Sequence, residues 1–388
     1  MARAGDGRVV FVRHGLPGET VRAVLTEEHA KWARADAIEI LAASPDRVQP
    51  PCAHARPGGC GGCDYQHASL PAQRHLKAQL LAEQLRRVAG IELAVTVEPF
   101  SREGLGTRTR VRYGVTETGA LGMRRRHSRD LIEVERCPLG VDAITELDLA
   151  TRRWPAGDDV QVIALNGTDA PTIALVEWSD DDEVEDAATG EAASLLDDDD
   201  IGVQWTEAAG FAFRVSADSF FQIHRRAPDV LIEAVLAGLT LAPGDVVLDL
   251  YAGVGLFTVP IAEEIGATGM VIAVESSPSA TADARVNLDG RTQARVIEGA
   301  VTPAVLAPFL ANAHAAVIDP PRSGVDKRSL RLIAESDLGR VVMVSCNPGT
   351  FSRDLKVLLS AGWTLESLRA LDLFEMTEHL EIVAVFSR

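Results

Sequence analysis

The chain has 388 residues, of which 46% are hydrophobic, and a formal net charge of -18. The length predicts two or three domains, and the acidic charge excludes a protein that is basic over its whole surface, so any nucleic-acid-binding surface must be local. The five cysteines are odd in number and unevenly spaced, which argues against a disulfide framework and for a reducing cytoplasm. No apolar run approaches the length of about 18 residues that a transmembrane helix needs, and we expect no signal peptide.

The first 48 residues predict a small β-barrel. Short β-rich runs are broken at Leu16-Pro17-Gly18, and Val21, Ala23 and Leu25 then alternate with polar residues, the pattern of a half-buried strand. Small barrels often present a strand face and loops to oligonucleotides. A purely structural β-module explains the same residues equally well.

A cysteine cluster follows, with three cysteines within twelve positions and with glycine and proline that let the backbone fold tightly. The candidate metal ligands are Cys52, Cys60, Cys63 and Cys137. The last of them precedes a proline, and Cys-Pro often ends the ligand set of an iron–sulfur site, so the spacing favours a [4Fe–4S] cluster. Zinc is the main alternative because four thiolates suit both metals, and a histidine ligand from His54 or His67 would point further to zinc.

Basic residues concentrate after this cluster. Residues 69–89 place leucines at helical spacing and predict an amphipathic helix, whose positive charge comes from Arg74, Lys77, Arg86 and Arg87. Eight arginines then lie within 28 positions. Three of these arginines alternate along one predicted strand: Arg108, Arg110 and Arg112. The guanidinium fork binds two phosphate oxygens at once, so we predict an RNA-contacting surface, with a solvated structural face as the alternative. The acidic runs at 179–186 and 196–201 predict solvated loops.

The second half of the chain predicts a nucleotide-binding α/β unit. An apolar strand at 246–250 leads into a turn with Gly253 and Gly255, and a second strand ends at Glu275. An acidic residue at this place can bond the ribose hydroxyls of an adenosine group. The turn lacks the third glycine and the basic residue of a pyrophosphate site, so S-adenosylmethionine fits better than a dinucleotide. Asp319 ends another buried strand and predicts a loop over the cofactor.

A further buried parallel strand at 340–344 precedes Ser345-Cys346-Asn347-Pro348. Ligands of doubly wound sheets bind at the carboxyl ends of strands, and a following helix N-terminus lowers the pKa of a thiol. We predict this helix over 351–359 with Thr350 as its N-cap. The alternative for Cys346 is a buried structural cysteine. The run 383–386 predicts the last strand of the sheet.

Taken in order, these motifs resemble the RNA uracil-C5 methyltransferase family, in particular the iron–sulfur branch that acts on 23S ribosomal RNA. The resemblance covers nearly the whole chain. It is carried by Gly7-Arg-Val-Val-Phe-Val-Arg-His14, Cys52/Cys60/Cys63/Cys137, Phe220-Phe221-Gln222, the turn from Asp249 to Gly255, Asp319-Pro-Pro-Arg322, Ser345-Cys-Asn-Pro348 and His379-Leu-Glu381.

The resemblance implies an α/β fold with three domains. A TRAM-like or OB-like β-barrel that lacks its first strand is expected at 1–48, and a central α+β iron–sulfur and RNA-binding domain at 49–210. A Rossmann-like class I S-adenosylmethionine-dependent methyltransferase domain is expected at 211–388. The implied protein is a cytoplasmic monomer, without membrane association, that transfers a methyl group to C5 of a uridine in RNA, most plausibly 23S rRNA.

The resemblance also implies residue roles. Cys346 would add to C6 of the uracil, and Glu381 would remove the C5 proton, with Glu378 as its competitor. The cofactor would bind at Gln222, Tyr251, Gly253, Gly255, Glu275 and Asp319. The [4Fe–4S] cluster at Cys52, Cys60, Cys63 and Cys137 would be structural, and would orient the RNA-binding part.

The chain departs from the family pattern at three places. His224 stands where the family usually has asparagine, Leu256 stands where an asparagine often follows the second glycine, and Ala300 lacks an adenine-contacting side chain. The alternatives are an RNA-binding protein that has lost catalysis, a tRNA uridine-C5 methyltransferase, and a small-molecule methyltransferase. The retained Cys346 and Glu381 argue against a protein that has lost catalysis. The cysteine cluster argues against a tRNA methyltransferase, and the arginine strand argues against a small-molecule methyltransferase.

Overall fold

The computed structural model of the chain describes residues 1–168, 170–177, 192–194 and 202–388. The two acidic runs predicted as solvated loops lie outside these residues. Within the described ranges, no helix is both long and apolar enough to cross a membrane.

The N-terminal segment forms a four-stranded sheet. Its strands are β1 (Ala2–Arg3), β2 (Val9–Arg13), β3 (Thr20–Glu28) and β4 (Trp32–Ala42). The strand order is β1-β2-β4-β3, and no pairing joins the two outer strands among the described residues, so the predicted closed barrel is not confirmed. The buried face predicted for β3 is wrong, because Ala23 and Leu25 are both exposed and only Val21 of the three is partly buried.

A helix and a short strand come next, and both pack on the C-terminal half of the molecule. Helix α1 (Leu70–Gln84) is capped by the Ser69 side chain and continues as a π-helical turn, Leu85–Ala89. Strand β5 is Val97–Pro99. Leu81, Leu85 and Val97 are buried in the same apolar cluster as the strands of the C-terminal sheet. This segment therefore packs outside the central domain that the sequence predicted for 49–210.

The central part is a six-stranded antiparallel sheet with the order β11-β10-β9-β6-β7-β8. Its elements are β6 (Arg110–Val115), β7 (Leu121–Arg124), β8 (Leu131–Glu133), the short helix α2 (Asp142–Thr145), β9 (Asp158–Ile163), β10 (Thr172–Glu177) and β11 (Ala192–Ser194). A hairpin of β12 (Val203–Ala208) and β13 (Phe211–Ser216) follows. The predicted boundary between residues 210 and 211 falls at the turn of this hairpin.

The C-terminal part is a Rossmann-like α/β sheet, as predicted. Its elements are α3 (Ala227–Leu239), β14 (Val246–Leu250), α4 (Thr258–Ile265), β15 (Met270–Glu275), α5 (Pro278–Asn287), β16 (Ala294–Glu298), α6 (Pro303–Leu310), β17 (Ala315–Ile318), α7 (Lys327–Glu335), β18 (Arg340–Ser345), α8 (Pro348–Ser360), β19 (Thr364–Asp372) and β20 (Glu381–Ser387). The strand order is β16-β15-β14-β17-β18-β20-β19-β5. The strands from β16 to β18 are parallel, whereas β20 is antiparallel to both of its neighbours. The last strand therefore inserts between β18 and β19.

The apolar strands of this sheet are buried on both faces, which explains their continuous hydrophobic sequence. In β18, Val342 and Val344 pack in one apolar cluster, and Val341 and Met343 pack in a second cluster. Because both faces are covered by helices, the polar groups of the site lie at the carboxyl edge of the sheet, where the strand order reverses between β14 and β17.

Candidate active site

The turns after three neighbouring strands meet at the carboxyl edge of the sheet. The backbone N–H groups of Tyr251 and Ala252 donate to the Val274 carbonyl oxygen at 2.9 and 3.1 Å. The Gly253 N–H donates to Glu275 Oε2 at 2.9 Å, and the Asp319 N–H donates to a carbonyl oxygen at the end of β14. The structure therefore brings together four of the predicted cofactor residues.

Backbone conformation explains why the turn after β14 needs glycine. Gly253 and Gly255 have φ of 55° and 89°, and Tyr251 also has a positive φ, 64°. These left-handed conformations are rare for residues with a side chain. The other oxygen of Glu275 accepts two backbone N–H bonds, from Ser276 and Ser277, both at 2.7 Å. The carboxylate is thus fixed by three hydrogen bonds at the start of α5.

Two carboxyl groups lie beside this turn, of which Asp249 is fully buried and Asp319 is partly buried. Burial raises the pKa of Asp249 to about 7, although a hydrogen bond from the Thr258 hydroxyl acts in the opposite direction. The pKa of Asp319 is also raised, first by burial and then by the negative charge of Asp249. Each charge disfavours the other, so this edge of the sheet favours a cationic ligand.

Cys346 lies at the end of β18, immediately before α8. The helix begins at Pro348, and the Asn347 side chain caps it by accepting the N–H groups of Gly349 and Thr350 at 2.9 and 3.2 Å. The prediction of Thr350 as N-cap is wrong, because the helix starts three residues earlier than its apolar periodicity suggested. The half-buried thiol precedes the positive end of the helix dipole, which favours its thiolate form.

The strand register brings the two predicted reactive side chains to the same edge. Strands β18 and β20 are antiparallel, and their last pair is Ser345 opposite Ile382. Cys346 and Glu381 directly adjoin this pair, at the same end of the two strands. The side chain of Glu381 is buried, with 3% exposure. Glu378 is 43% exposed and forms an ion pair with Arg126 at 3.2 Å, so it is directed to a different neighbour.

The segment with Gln222 is held against both halves of the molecule. Gln222 is buried, and the next residue accepts the backbone N–H of Thr109 at 2.8 Å. The Ser219 hydroxyl donates to Asp283 on α5 at 2.6 Å. His224 and Glu375 are both buried, with Nε2 and Oε1 separated by 3.5 Å, so the histidine that departs from the family pattern faces a carboxylate.

The four predicted metal ligands line one cavity. These residues are Cys52, Cys60, Cys63 and Cys137. His54 also lines this cavity, whereas His67 is not among its lining residues and lies beside the ring of His14. A side chain on Gly59 would clash with the His54 carbonyl oxygen, so the tight loop requires glycine. Burial raises the pKa of Cys63 to about 12 and also raises that of Cys60 and Cys137.

The geometry does not confirm the predicted cluster. Among the described residues, no group of three or more His, Cys, Asp or Glu side chains is arranged to hold a metal ion. The observation that supports a metal group is therefore that four thiols line one cavity. Their donor chemistry suits an iron–sulfur cluster or zinc.

The arginines of the basic strand differ in their surroundings. Arg110 is 7% exposed and donates to the Ser219 carbonyl oxygen at 2.9 Å, which corrects the predicted RNA-contacting position for this residue. Arg112 pairs with Asp159 at 2.7 Å. Arg108 lies near the cysteine cavity, where its charge opposes the raised pKa of Cys63. An RNA contact of Arg108 and Arg112 stays a prediction.

Comparison with known proteins identifies the family. Residues 307–388 match the family model described as tRNA (Uracil-5-)-methyltransferase. The 23S rRNA (uracil(1939)-C(5))-methyltransferase RlmD of Halomonas elongata is 31% identical over 98% of this chain and 85% of its own length. The chain belongs to the RNA uracil-C5 methyltransferase family. An RNA methyltransferase of Streptomyces avermitilis whose function is uncharacterized is 36% identical, over 99% of this chain and 94% of its own length.

A solved structure agrees with this assignment at the level of the fold. The Pyrococcus abyssi tRNA (uracil-54, C5)-methyltransferase, in complex with S-adenosyl-L-homocysteine, covers 99% of this chain and 98% of its own. Its TM-score is 0.72 and its sequence identity is 22%. The protein is therefore an S-adenosylmethionine-dependent RNA uracil-C5 methyltransferase with a class I methyltransferase fold, as the sequence predicted.

Sequence reasoning missed several residues that organise this methyltransferase. Lys77 was assigned to the basic surface of its helix, but it is fully buried, and its Nζ lies 2.6 Å from Asp372. A signal was present, because Gln73, Lys77 and Leu81 are spaced by four and share one helix face. Met376 has a positive φ of 67°, and nothing in the local sequence indicated it.

Proposed function

We propose that this methyltransferase modifies C5 of a uridine in 23S rRNA through a covalent bond between Cys346 and C6 of the uracil. The observation that carries the proposal is the β18–β20 register, which ends with Ser345 opposite Ile382 at the carboxyl edge of the sheet, so that Cys346 and Glu381 each directly adjoin this last pair. C5 of uracil is a poor nucleophile, so thiolate addition at C6 supplies the electron density that C5 needs. S-adenosylmethionine supplies the methyl group and leaves as S-adenosylhomocysteine.

In the proposed reaction, the Cys346 thiolate adds to C6, and the electron pair that develops at C5 attacks the methyl carbon. C5 then carries both the methyl group and its original proton. Glu381 removes this proton, the C5–C6 double bond forms again, and the thiolate leaves C6. The burial of Glu381 and the contact of Glu378 with Arg126 both favour Glu381 as the base.

The cofactor is proposed to bind at the edge where the turns meet, with the residues Gln222, Tyr251, Gly253, Gly255, Glu275 and Asp319. Glu275 supports an adenosine-ribose role because its carboxylate is held at the end of the second strand. Burial raises the pKa of Asp249 and Asp319, and a nearby carboxylate raises each further, Glu275 for Asp249 and Asp249 for Asp319, so a positive charge would be favourable here. A sulfonium cation would provide it.

The rRNA substrate is proposed from sequence identity. The 23S rRNA methyltransferase from Halomonas elongata is 31% identical over 98% of this chain, whereas the tRNA methyltransferase from Pyrococcus abyssi, which covers 99% of the chain, is 22% identical. We also propose that Arg108 and Arg112 contact the RNA backbone. Arginine is suited to that contact even on an acidic protein.

We further propose that Cys52, Cys60, Cys63 and Cys137 hold a [4Fe–4S] cluster. All four line one cavity although Cys137 is distant in sequence. Four thiolates suit a four-iron cubane, and Pro138 follows Cys137 as a proline often follows the last ligand of an iron–sulfur site. The cluster would connect the cysteine loop to the central sheet.

Two substitutions test the reaction on a denaturing gel, with S-adenosylmethionine and labelled 23S rRNA or tRNA. Cys346→Ala should abolish methyl transfer and any covalent conjugate. Glu381→Gln should still allow addition and methyl transfer but should stall before elimination, so a methylated protein–RNA conjugate should accumulate with rRNA. Glu378→Gln is the matched control and should turn over normally.

The outcomes separate the parts of the proposal. A conjugate that accumulates in Glu378→Gln, while Glu381→Gln turns over, would assign the base to Glu378. Conjugate formation with tRNA but not with rRNA would replace the substrate class. Methyl transfer by Cys346→Ala would refute the covalent route.

A further inference from the structure

The loop that precedes Glu381 is attached to a remote part of the chain. Residues 373–380 connect β19 to β20, and Glu381 is the first residue of β20. The Met376 carbonyl oxygen accepts two backbone N–H bonds, from Asp64 and Tyr65, both at 2.9 Å. The Met376 N–H donates to Gln73 Oε1 at 2.9 Å. The hydrogen bonds of the Met376 backbone therefore run to the segment that directly follows the cysteine loop.

The Met376 side chain packs toward the same region. It is 5% exposed and forms a small apolar cluster with Cys63 and Leu139, against which Cys137 also packs. A side chain on Gly104 would come within 2.7 Å of the Met376 methyl carbon, so this packing is close. Met376 thus belongs to an apolar cluster that includes one cysteine of the cavity and packs against another.

The backbone of Met376 is in a conformation that it would not adopt alone. Its φ of 67° lies in the left-handed region, which a residue with a long side chain occupies only when its surroundings impose it. The hydrogen bonds and the apolar cluster supply this constraint. A second attachment lies two residues further, where the Glu378 N–H donates to Asp64 Oδ2 at 3.3 Å.

We propose that Met376 is a positioning residue for the methyl-transfer reaction, which sets the position of Glu381 by fixing its loop to the wall of the cysteine cavity. The inference rests on the proposed role of Glu381 as the base. It adds that the packing of the Met376 side chain, together with the backbone hydrogen bonds of its loop, joins the cysteine loop and the reactive carboxylate into one mechanical unit. The step that depends on Glu381, removal of the C5 proton, is then the step that depends on Met376.

The test uses full-length, anaerobically purified enzyme and the Met376→Ala variant. Removing the side chain should loosen the loop, and misplacement of a reacting group by about 1 Å can cost roughly 100-fold in rate. We expect the turnover number to fall by about 10- to 100-fold, with the KM for RNA and the Kd for S-adenosylmethionine unchanged. The methylated protein–RNA conjugate should accumulate, and amide hydrogen exchange should become faster in residues 377–381.

Three further variants make the test specific. Met376→Leu keeps the apolar packing and should restore most of the turnover. Met376→Asn suits the left-handed backbone but loses the packing, so it should behave like Met376→Ala even if the alanine variant folds poorly. Met123→Ala is the matched control, because Met123 also lines the cysteine cavity but belongs to a different apolar cluster; it should not accumulate the conjugate.

The result that would overturn the inference is a Met376→Asn variant that turns over like Met123→Ala, with unchanged hydrogen exchange in residues 377–381. The iron content of each variant should be measured, and it should be the same in Met376→Ala and Met123→Ala. If only Met376→Ala lost iron, the substitution would act by disrupting the cysteine cavity and not by loosening the loop. Failure of the proposed function is distinct, because Glu381→Gln would then fail to trap the conjugate whatever the Met376 variants do.

Discussion

The buried carboxyl group of Asp249 makes the cofactor edge sensitive to pH. Its ordinary pKa is 3.8, and burial raises it to about 7. A group whose pKa is higher in the folded state than in the unfolded state stabilises the fold fully at pH values below its unfolded-state pKa. This stabilisation is lost as the pH rises through the folded-state pKa. The ligand-free fold should therefore lose this contribution between pH values of about 4 and 7. Asp319 acts in the same direction.

Binding of S-adenosylmethionine should reverse this tendency, because a sulfonium cation favours the ionised carboxylate. A ligand that displaces a proton binds more tightly as the pH rises, by up to about tenfold per pH unit for each proton released. Titration calorimetry between about pH 5.5 and 8 should show this increase. S-adenosylhomocysteine, which lacks the sulfonium charge, should show a smaller increase, and Asp249→Asn should flatten the curve. Equal slopes for the two ligands would contradict the explanation.

At the scale of elements, helix α1 joins the cysteine loop to the catalytic sheet through buried polar groups. Lys77 is fully buried and donates to both Asp372 and the Phe374 carbonyl oxygen, at 2.6 and 2.9 Å. Burial lowers the pKa of Lys77, and the nearby Asp372 charge opposes this change. Removing one partner of a buried pair costs about 3–5 kcal/mol. The buried contacts of Lys77 thus stabilise both helix α1 and the loop before Glu381.

The cysteine loop should carry iron if its proposed cluster is correct. Anaerobically purified protein should be brown and contain about four irons per chain, as expected for a Cys₄ cubane. Cys137→Ala should lose this iron because it removes the ligand that closes the site. Cys346→Ala should retain it, since Cys346 is not a lining residue of the cavity. One tightly bound zinc without iron would contradict the cluster.

At the scale of the whole molecule, an RNA-modifying enzyme carries a net charge of -18. Its arginines are partly neutralised internally, since Arg112 and Arg124 both contact Asp159. A local surface, rather than the overall field, must therefore hold the RNA. Strand β5 and α1 also pack with the C-terminal sheet, which couples the N-terminal half to the catalytic edge.

The RNA surface can be tested through salt dependence. Replacing Arg108 and Arg112 with alanine should weaken RNA binding and reduce the log–log salt slope by up to roughly 0.7 per lost single-strand contact. The matched control is Arg110→Lys, because Arg110 is buried and should leave the slope unchanged. A slope that does not change in the double variant would show that these arginines form an ordinary solvated or paired face.

The apolar strands and the motif order were determined by the sequence itself. Strand β14 has the bounds that its apolar run predicted, β15 ends at Glu275 as predicted, and β17 and β18 each end within one residue of the predicted position. This agreement has a local cause, because a parallel strand buried on both faces must be continuously hydrophobic. The fold class and the expectation of S-adenosylmethionine followed from these strands and from the residues that end them, and the family followed from the resemblance of the ordered motifs along the chain.

Tertiary structure alone decided which polar residues are buried and what they contact. The local sequence pattern predicts that Lys77 and Arg110 lie at the surface. Both are buried, because they bind partners that are about 300 and 100 residues away in sequence. The left-handed conformation of Met376 likewise depends on hydrogen bonds from Asp64 and Tyr65. Hydrophobic periodicity reports which face of an element is buried, whereas long-range charge pairing and backbone constraint exist only after the chain has folded.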